Sequence, residues 1–60
     1  MERLEYLGTD PRLEQGTVYD CTVARHGTET NVSAHVSFHV RVYKYYRSIP
    51  EFEQDWAEEG

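Results

Sequence analysis

From Val32 to Val42 the chain alternates apolar and polar residues without a break. Val32, Ala34, Val36, Phe38, Val40 and Val42 fall on one side of the alternation, and Ser33, His35, Ser37, His39 and Arg41 on the other. Side chains of an extended strand point to opposite faces in turn, so a period of two predicts a strand with one buried face. The strand-like pattern continues through Tyr46, and fifteen extended residues would span about 50 Å at about 3.3 Å each. A domain of 60 residues has a radius of gyration of only about 10 Å. The segment must therefore bend, break or project as an arm. Ser33, Ala34 and Ser37 are small enough for a sharp bend, and the crowded Tyr43-Lys44-Tyr45-Tyr46 is the other place where the register could fail.

The length predicts one domain, residues 1–60, of marginal stability, since a chain this short buries only about 60% of its unfolded surface. Cys21 is the single cysteine, so no disulfide within the chain can staple the fold. The charged start Met1-Glu2-Arg3-Leu4-Glu5 lacks the apolar run of a signal peptide or a membrane span, which predicts a cytoplasmic protein. The net charge of −5 belongs to the end of the chain: residues 1–47 carry six acids and six bases, and 48–60 carry five acids and no base. Such a block is either a solvated face that aids solubility or a negative patch for a basic partner surface.

Arg3-Leu4-Glu5-Tyr6-Leu7 reads as a first strand bounded by Gly8, and Thr9-Asp10-Pro11-Arg12 opens a loop that continues to Gly16. Thr17–Val23, rich in β-branched and aromatic residues, is the second strand, with Tyr19, Cys21 and Val23 on one face. The polar segment Arg25–Asn31, containing Gly27, predicts a hairpin into the strand that starts at Val32. Ser48 followed by Glu51 has the spacing of a capping box, with Pro50 in the first turn, so a short helix should begin there. Ile49, Phe52 and Trp56 then form one apolar stripe along that helix, leaving Glu51, Gln54, Asp55, Glu58 and Glu59 outward. The expected fold is mainly β: a three- to four-stranded antiparallel meander closed by a short C-terminal helix. Its expected core is Leu7, Tyr19, Cys21, Val23, Val36, Phe38, Val40, Phe52 and Trp56.

Leu13-Glu14-Gln15-Gly16-Thr17-Val18-Tyr19, read as L-x-x-G-x-V-Y, resembles the loop-to-strand opening of small SH3-like barrel proteins of bacteria and their phages. The ending from Tyr46-Arg47-Ser48 through Phe52 to Asp55-Trp56 is similar to that of small phage-encoded proteins, in which Phe and Trp pack a terminal helix. The chain departs from peptide-binding SH3 domains in lacking a tandem Trp and an acidic-aromatic loop, so proline-ligand recognition is not implied. The resemblance implies an SH3-like small barrel that binds a host or phage protein.

Four constellations could carry chemistry. His35 and His39 are four apart, but on a strand that places them about 13 Å from each other, too far to share a metal ion. Cys21 and His26 add no Cys-x-x-Cys pair, so no metal and no cofactor is expected. Cys21 shares its strand face with Tyr19 and Val23, which marks it as core rather than nucleophile. Glu51 and Asp55 stand at helix spacing on a wet surface that would not raise a carboxyl pKa, so an enzyme is not expected. Arg41, Tyr43, Lys44, Tyr45, Tyr46 and Arg47 interleave cations with aromatics, a pattern suited to a nucleic-acid strand or to a protein interface.

The overall negative charge opposes phosphate binding. The expectation is therefore a non-catalytic protein-binding factor, and the resemblance implies a phage-encoded accessory or inhibitor of a host protein. Its expected partner-binding residues are Arg41, Tyr43, Lys44, Tyr45, Arg47, Glu51, Asp55, Glu58 and Glu59. The partner would be a host protein or a second copy in a homodimer, and no membrane is involved. Two alternatives compete: a nucleic-acid-binding barrel using Arg41, Lys44, Arg47 and the tyrosines, and an acidic mimic of a nucleic-acid backbone using Glu51, Asp55, Glu58 and Glu59.

Overall fold

A computed structural model describes Met1–Glu59. Five strands and one helix follow in chain order: β1 (Glu2–Tyr6), β2 (Val18–His26), β3 (Glu29–His35), β4 (Arg41–Tyr46), α1 (Ile49–Asp55) and β5 (Trp56–Glu58). All strand pairs are antiparallel and belong to one sheet of order β4-β3-β2-β1-β5. The fold is thus mainly β, with one strand more than the sequence suggests. β4 and β5 are the two edges, and no ladder joins them into a closed barrel among the described residues. They are nevertheless brought together across the core, where the Trp56 Nε1–H donates to the Tyr46 hydroxyl at 2.9 Å.

The long alternating segment is two strands, not one. It breaks at Ser37-Phe38-His39, and the hairpin is closed by the Val36 N–H donating to the Val40 carbonyl at 3.0 Å. A hairpin halves the span of the segment, so the alternation fits within a domain whose longest extent is 30 Å. The break corrects the expected core. Phe38, at the hairpin tip, is 95% exposed, and Val36 and Val40 are 39% and 49% exposed. Alternation carries no information about where a strand ends, so it continued unbroken through a turn.

The observed core is Leu4, Tyr6, Leu13, Cys21, Val32, Ala34, Val42, Tyr46 and Trp56, with Tyr19, Val23 and Phe52 packed against it. Leu7, expected inside, is 37% exposed, because β1 ends at Tyr6 and the next residue leaves the sheet. The β2–β3 hairpin falls within the predicted polar segment but turns on Gly27-Thr28 alone, so Arg25, His26, Glu29, Thr30 and Asn31, expected in the connection, belong to the paired strands. Gly27 takes φ +61° and no other residue near it has positive φ, as a type II′ turn requires.

The Ser48 cap is present, its side chain accepting from the Glu51 N–H at 3.4 Å, with Pro50 in the first turn. Glu51 reaches back to the Arg47 N–H at 3.2 Å rather than to that of Ser48, so the capping box is displaced by one residue. The helix stops at Asp55, and Trp56 is extended at φ −137° and ψ 137°. Trp56 therefore enters the core from β5, opposite Tyr6, and not from a helical stripe. A seven-residue helix with no buried residue has little stability of its own. Pairing Trp56–Glu58 with Tyr6–Leu4 competes successfully for the chain at that point.

The loop from Leu7 to Thr17 is tied to the sheet at several points, through the Tyr6 and Tyr19 hydroxyls and through the Asp10 carboxylate. Asp10 accepts from the Arg12 Nε (3.0 Å), Nη2 (2.8 Å) and N–H (2.9 Å) and from the Lys44 Nζ at 3.1 Å. The Arg12 guanidinium and N–H, aided by Lys44, hold the Asp10 carboxyl well below the usual carboxylate range.

Candidate functional site

Strand alternation places Arg41, Tyr43 and Tyr45 on the outward face of β4, and Val42, Lys44 and Tyr46 toward the core. The register extends that outward face across three strands in rows: Asp20, His35 and Arg41; Thr22, Ser33 and Tyr43; Ala24, Asn31 and Tyr45. The residues of β2 and β3 in the last two rows are small, so the two tyrosines stand above them. They flank a shallow groove of about 310 Å³ floored by Thr22, Ala24, Asn31 and Ser33. Tyr43 is 68% and Tyr45 56% exposed. The partial burial of Tyr45, with Glu29 beside its hydroxyl, raises the pKa of the phenol.

Exposed apolar surface concentrates on this hairpin. Of the eight large hydrophobic residues exposed among those described, five are Val36, Phe38, Val40, Tyr43 and Tyr45. Phe38 and His39 at the tip meet edge to face at 4.7 Å between ring centroids. The cations are distributed in the opposite sense. Arg3, Arg12, Arg25, Lys44 and Arg47 each have a carboxylate partner, and among the described arginines and lysines only Arg41 forms no ion pair. That free arginine thus stands on the same outward face as the two tyrosines and lines a shallow hollow with Phe38, His39 and Tyr43.

The nine residues singled out from the sequence do not form one site. Arg41, Tyr43 and Tyr45 come together. Lys44 points to the other face and is bound to Asp10, which separates it from the tyrosines it adjoins in sequence. Arg47 and Glu51 pair with each other at 3.4 Å beside the helix start. Asp55, expected in solvent, accepts the Tyr46 hydroxyl at 2.7 Å. Glu58 and Glu59 lie at the β5 end of the sheet, where Glu59 accepts from the Arg3 Nε at 2.9 Å. Phe38 and the groove floor were missed. The signal for the floor was available, since Thr22, Ala24, Asn31 and Ser33 are the small polar-phase positions of two adjacent strands, but it has meaning only once the register is known.

Other groups with chemical potential are held in structural roles. Cys21 is fully buried, and desolvation pushes its thiol up to about 11, far from thiolate reactivity. His39 sits in the hairpin turn and not on a strand with His35, so the strand spacing between them does not apply. Among the described residues no three His, Cys, Asp or Glu side chains are grouped to hold a metal ion. The Ser33 hydroxyl is buried and makes no hydrogen bond, so no base is engaged with it. A larger cleft of about 660 Å³ lies between α1 and the β2–β3 hairpin. Arg25 projects into it, 6.0 Å above the Phe52 ring, with its guanidinium forked onto Glu2 at 2.9 and 3.2 Å. No helix among the described residues is long and apolar enough to cross a membrane. Compared with known proteins, the chain matches no family model, no curated protein and no solved structure.

Proposed function

We propose that this protein is a non-catalytic protein-binding factor whose binding face is the outward side of the β3–β4 hairpin. The observation that carries the reading is the pair of exposed tyrosines, Tyr43 and Tyr45, standing on the outward face of β4 with Arg41, the one described arginine or lysine without an ion pair, and with Phe38 lining a common hollow with Arg41 and Tyr43. Exposed apolar patches of this kind mark interaction sites, and Tyr and Arg are residue types that dominate protein interfaces. A nucleic-acid surface would need several free cations along a track. Arg41 supplies one, and Lys44 and Arg47 are engaged elsewhere. The carboxylates required of a nucleic-acid mimic are likewise divided between the helix and the β5 end, with Glu51, Asp55 and Glu59 each bonded within the chain.

The SH3-like reading belongs to the same proposal. The Leu13–Tyr19 motif stands at the entry to β2, and the helix between β4 and β5 returns the chain beside β1, an order of elements that supports a small barrel opened along one edge. The test is capture from a bacterial lysate by the tagged protein, with and without nuclease and across a salt series, using the intact chain and a Tyr43→Ser/Tyr45→Ser variant. A stoichiometric protein that survives nuclease and is lost with the variant is the expected result. Capture of nuclease-sensitive material that falls steeply with salt would overturn the reading in favour of nucleic acid.

A further inference from the structure

The edge of β4 carries a pattern that selects a partner. The β2–β3 hairpin closes on the two-residue turn Gly27-Thr28, so His26 and Glu29 are a hydrogen-bonded pair. β3 therefore bonds β2 through its odd-numbered residues, leaving its even-numbered residues to bond β4; the Val36 N–H to Val40 carbonyl bond just beyond the strand ends has the same phase. In an antiparallel ladder bonded and non-bonded pairs alternate, and the register then makes Ala34 with Val42, Val32 with Lys44 and Thr30 with Tyr46 the bonded pairs. The backbone N–H and C=O groups of Arg41, Tyr43 and Tyr45 consequently point away from β3, along the free edge. No other backbone group bonds to them among the described residues. The three residues that offer the edge its hydrogen bonds are also the three whose side chains form the exposed face.

We infer that the partner of this face is a second copy of the chain, paired antiparallel through β4 about a two-fold axis at Tyr43. The inference rests on the reading of the β3–β4 hairpin as the binding face. Directly opposed residues of an antiparallel pair lie on the same side of the sheet, and only registers that oppose odd-numbered residues let both edges exchange their free groups. Of these, opposing Tyr43 to Tyr43 uses all three outward-bonding residues of each strand. Arg41 then faces the other copy's Tyr45, and Val42 faces the other copy's Lys44. Sliding by two residues loses a bonded pair in either direction, and one of the two slides opposes Lys44 to itself, which like charge disfavours. The chosen register sets the uncommitted guanidinium of Arg41 beside an exposed tyrosine ring, a cation–π contact that the monomer lacks. It also joins the two exposed Tyr43 side chains across the axis, as an isologous contact requires.

Two measurements test this, made in moderate salt so that repulsion between copies of net charge −5 is screened. The first is the mass in solution at about 100 µM by light scattering on a sizing column, where the expected value is twice the 7.1 kDa of the chain. The second compares Tyr43→Cys with Tyr45→Cys under mild oxidation. Opposed Cα atoms across a bonded antiparallel pair are about 5.5 Å apart, within disulfide range, whereas the two position-45 residues would be separated by about 13 Å along the strands. Tyr43→Cys should form a linked dimer at least tenfold faster than Tyr45→Cys, with the buried Cys21 unlinked in both. A monomeric mass overturns the inference, and so does a dimer in which position 45 links as fast as position 43. Should the chain prove monomeric while capture of a different protein still requires Tyr43 and Tyr45, the binding-face reading stands and self-pairing alone falls.

Discussion

Replacing Tyr46 by Phe isolates the hydrogen-bond chain that ties both edges of the sheet to the core. The Tyr46 hydroxyl accepts from the Trp56 Nε1–H at 2.9 Å and donates to the Asp55 Oδ2 at 2.7 Å. Trp56 is 2% exposed and packed against Tyr6 at 4.9 Å between ring centroids, so water has no route to its indole N–H. Asp55 is half-buried, and solvent can replace the lost hydroxyl there. The cost is therefore chiefly that of one buried donor left unpaired, about 2 kcal/mol. A chain of this length has a total stability of only about 3 to 9 kcal/mol. At about 4 to 8 °C per kcal/mol, Tyr46→Phe should lower the melting temperature by about 8 to 16 °C. Thermal unfolding followed by tryptophan fluorescence at neutral pH reads this directly, with the exposed Tyr43→Phe as a control expected to move by less than about 0.5 kcal/mol. The same variant should change the alkaline limb. Burial, and then the hydrogen bond to Asp55, raise the Tyr46 phenol pKa in the folded state. The phenol's contribution is thus complete below its unfolded pKa of about 10 and is lost as pH rises through the folded value. Tyr46→Phe should flatten that loss. A shift below about 3 °C, or an unchanged alkaline limb, would refute the assignment of this hydroxyl as the bridge.

Gly8→Ala should destabilise by about 1 to 3 kcal/mol, measured as a lower urea midpoint, because a Cβ there would collide with the Tyr6 hydroxyl and lie 2.7 Å from the Asp55 Oδ1. Phe38→Ser should leave stability within about 0.5 kcal/mol of the natural chain; a loss of about 3 kcal/mol or more would instead return Phe38 to the core that the alternation suggested. Asp10 has a depressed folded pKa, so its stabilisation is present above its ordinary value of about 4 and declines as pH falls below it. Urea midpoints at about pH 5 and pH 3 should therefore converge in Asp10→Asn relative to the natural chain, and equal acid losses in the two proteins would count against the Asp10 cluster as the origin of that dependence.

Local signals were legible where local physics decides. The Thr17–Val23 strand, the turn at Gly27, the Ser48 cap and the burial of Cys21 and Trp56 follow from β propensity, positive φ, capping geometry and hydrophobicity, each of which operates within a few residues. The same applies to the outward placement of Arg41, Tyr43 and Tyr45, which share one phase of the alternation. Strand ends were not legible. The period-two pattern of Val32–Tyr46 is identical for a long strand and for a hairpin whose tip keeps phase, and only the limited size of the domain pointed to a break.

The sequence by itself determined the mainly β class, the position of the helix start and the asymmetry of charge, because these depend on residue type and spacing alone. Tertiary structure decided the rest. It placed Phe38 in solvent, since a hairpin tip has no sheet against which to bury a ring. Trp56 was drawn out of the helix because its partners, Tyr6 and Tyr46, are 50 and 10 residues away in the chain, and only pairing with β1 brings all three together. Lys44 was parted from Tyr43 and Tyr45 for a similar reason: its strand phase turns it inward to Asp10, 34 residues earlier. Which cation remains uncommitted, and which edge remains open, are properties of pairings between distant residues, and no window of sequence contains both members of such a pair.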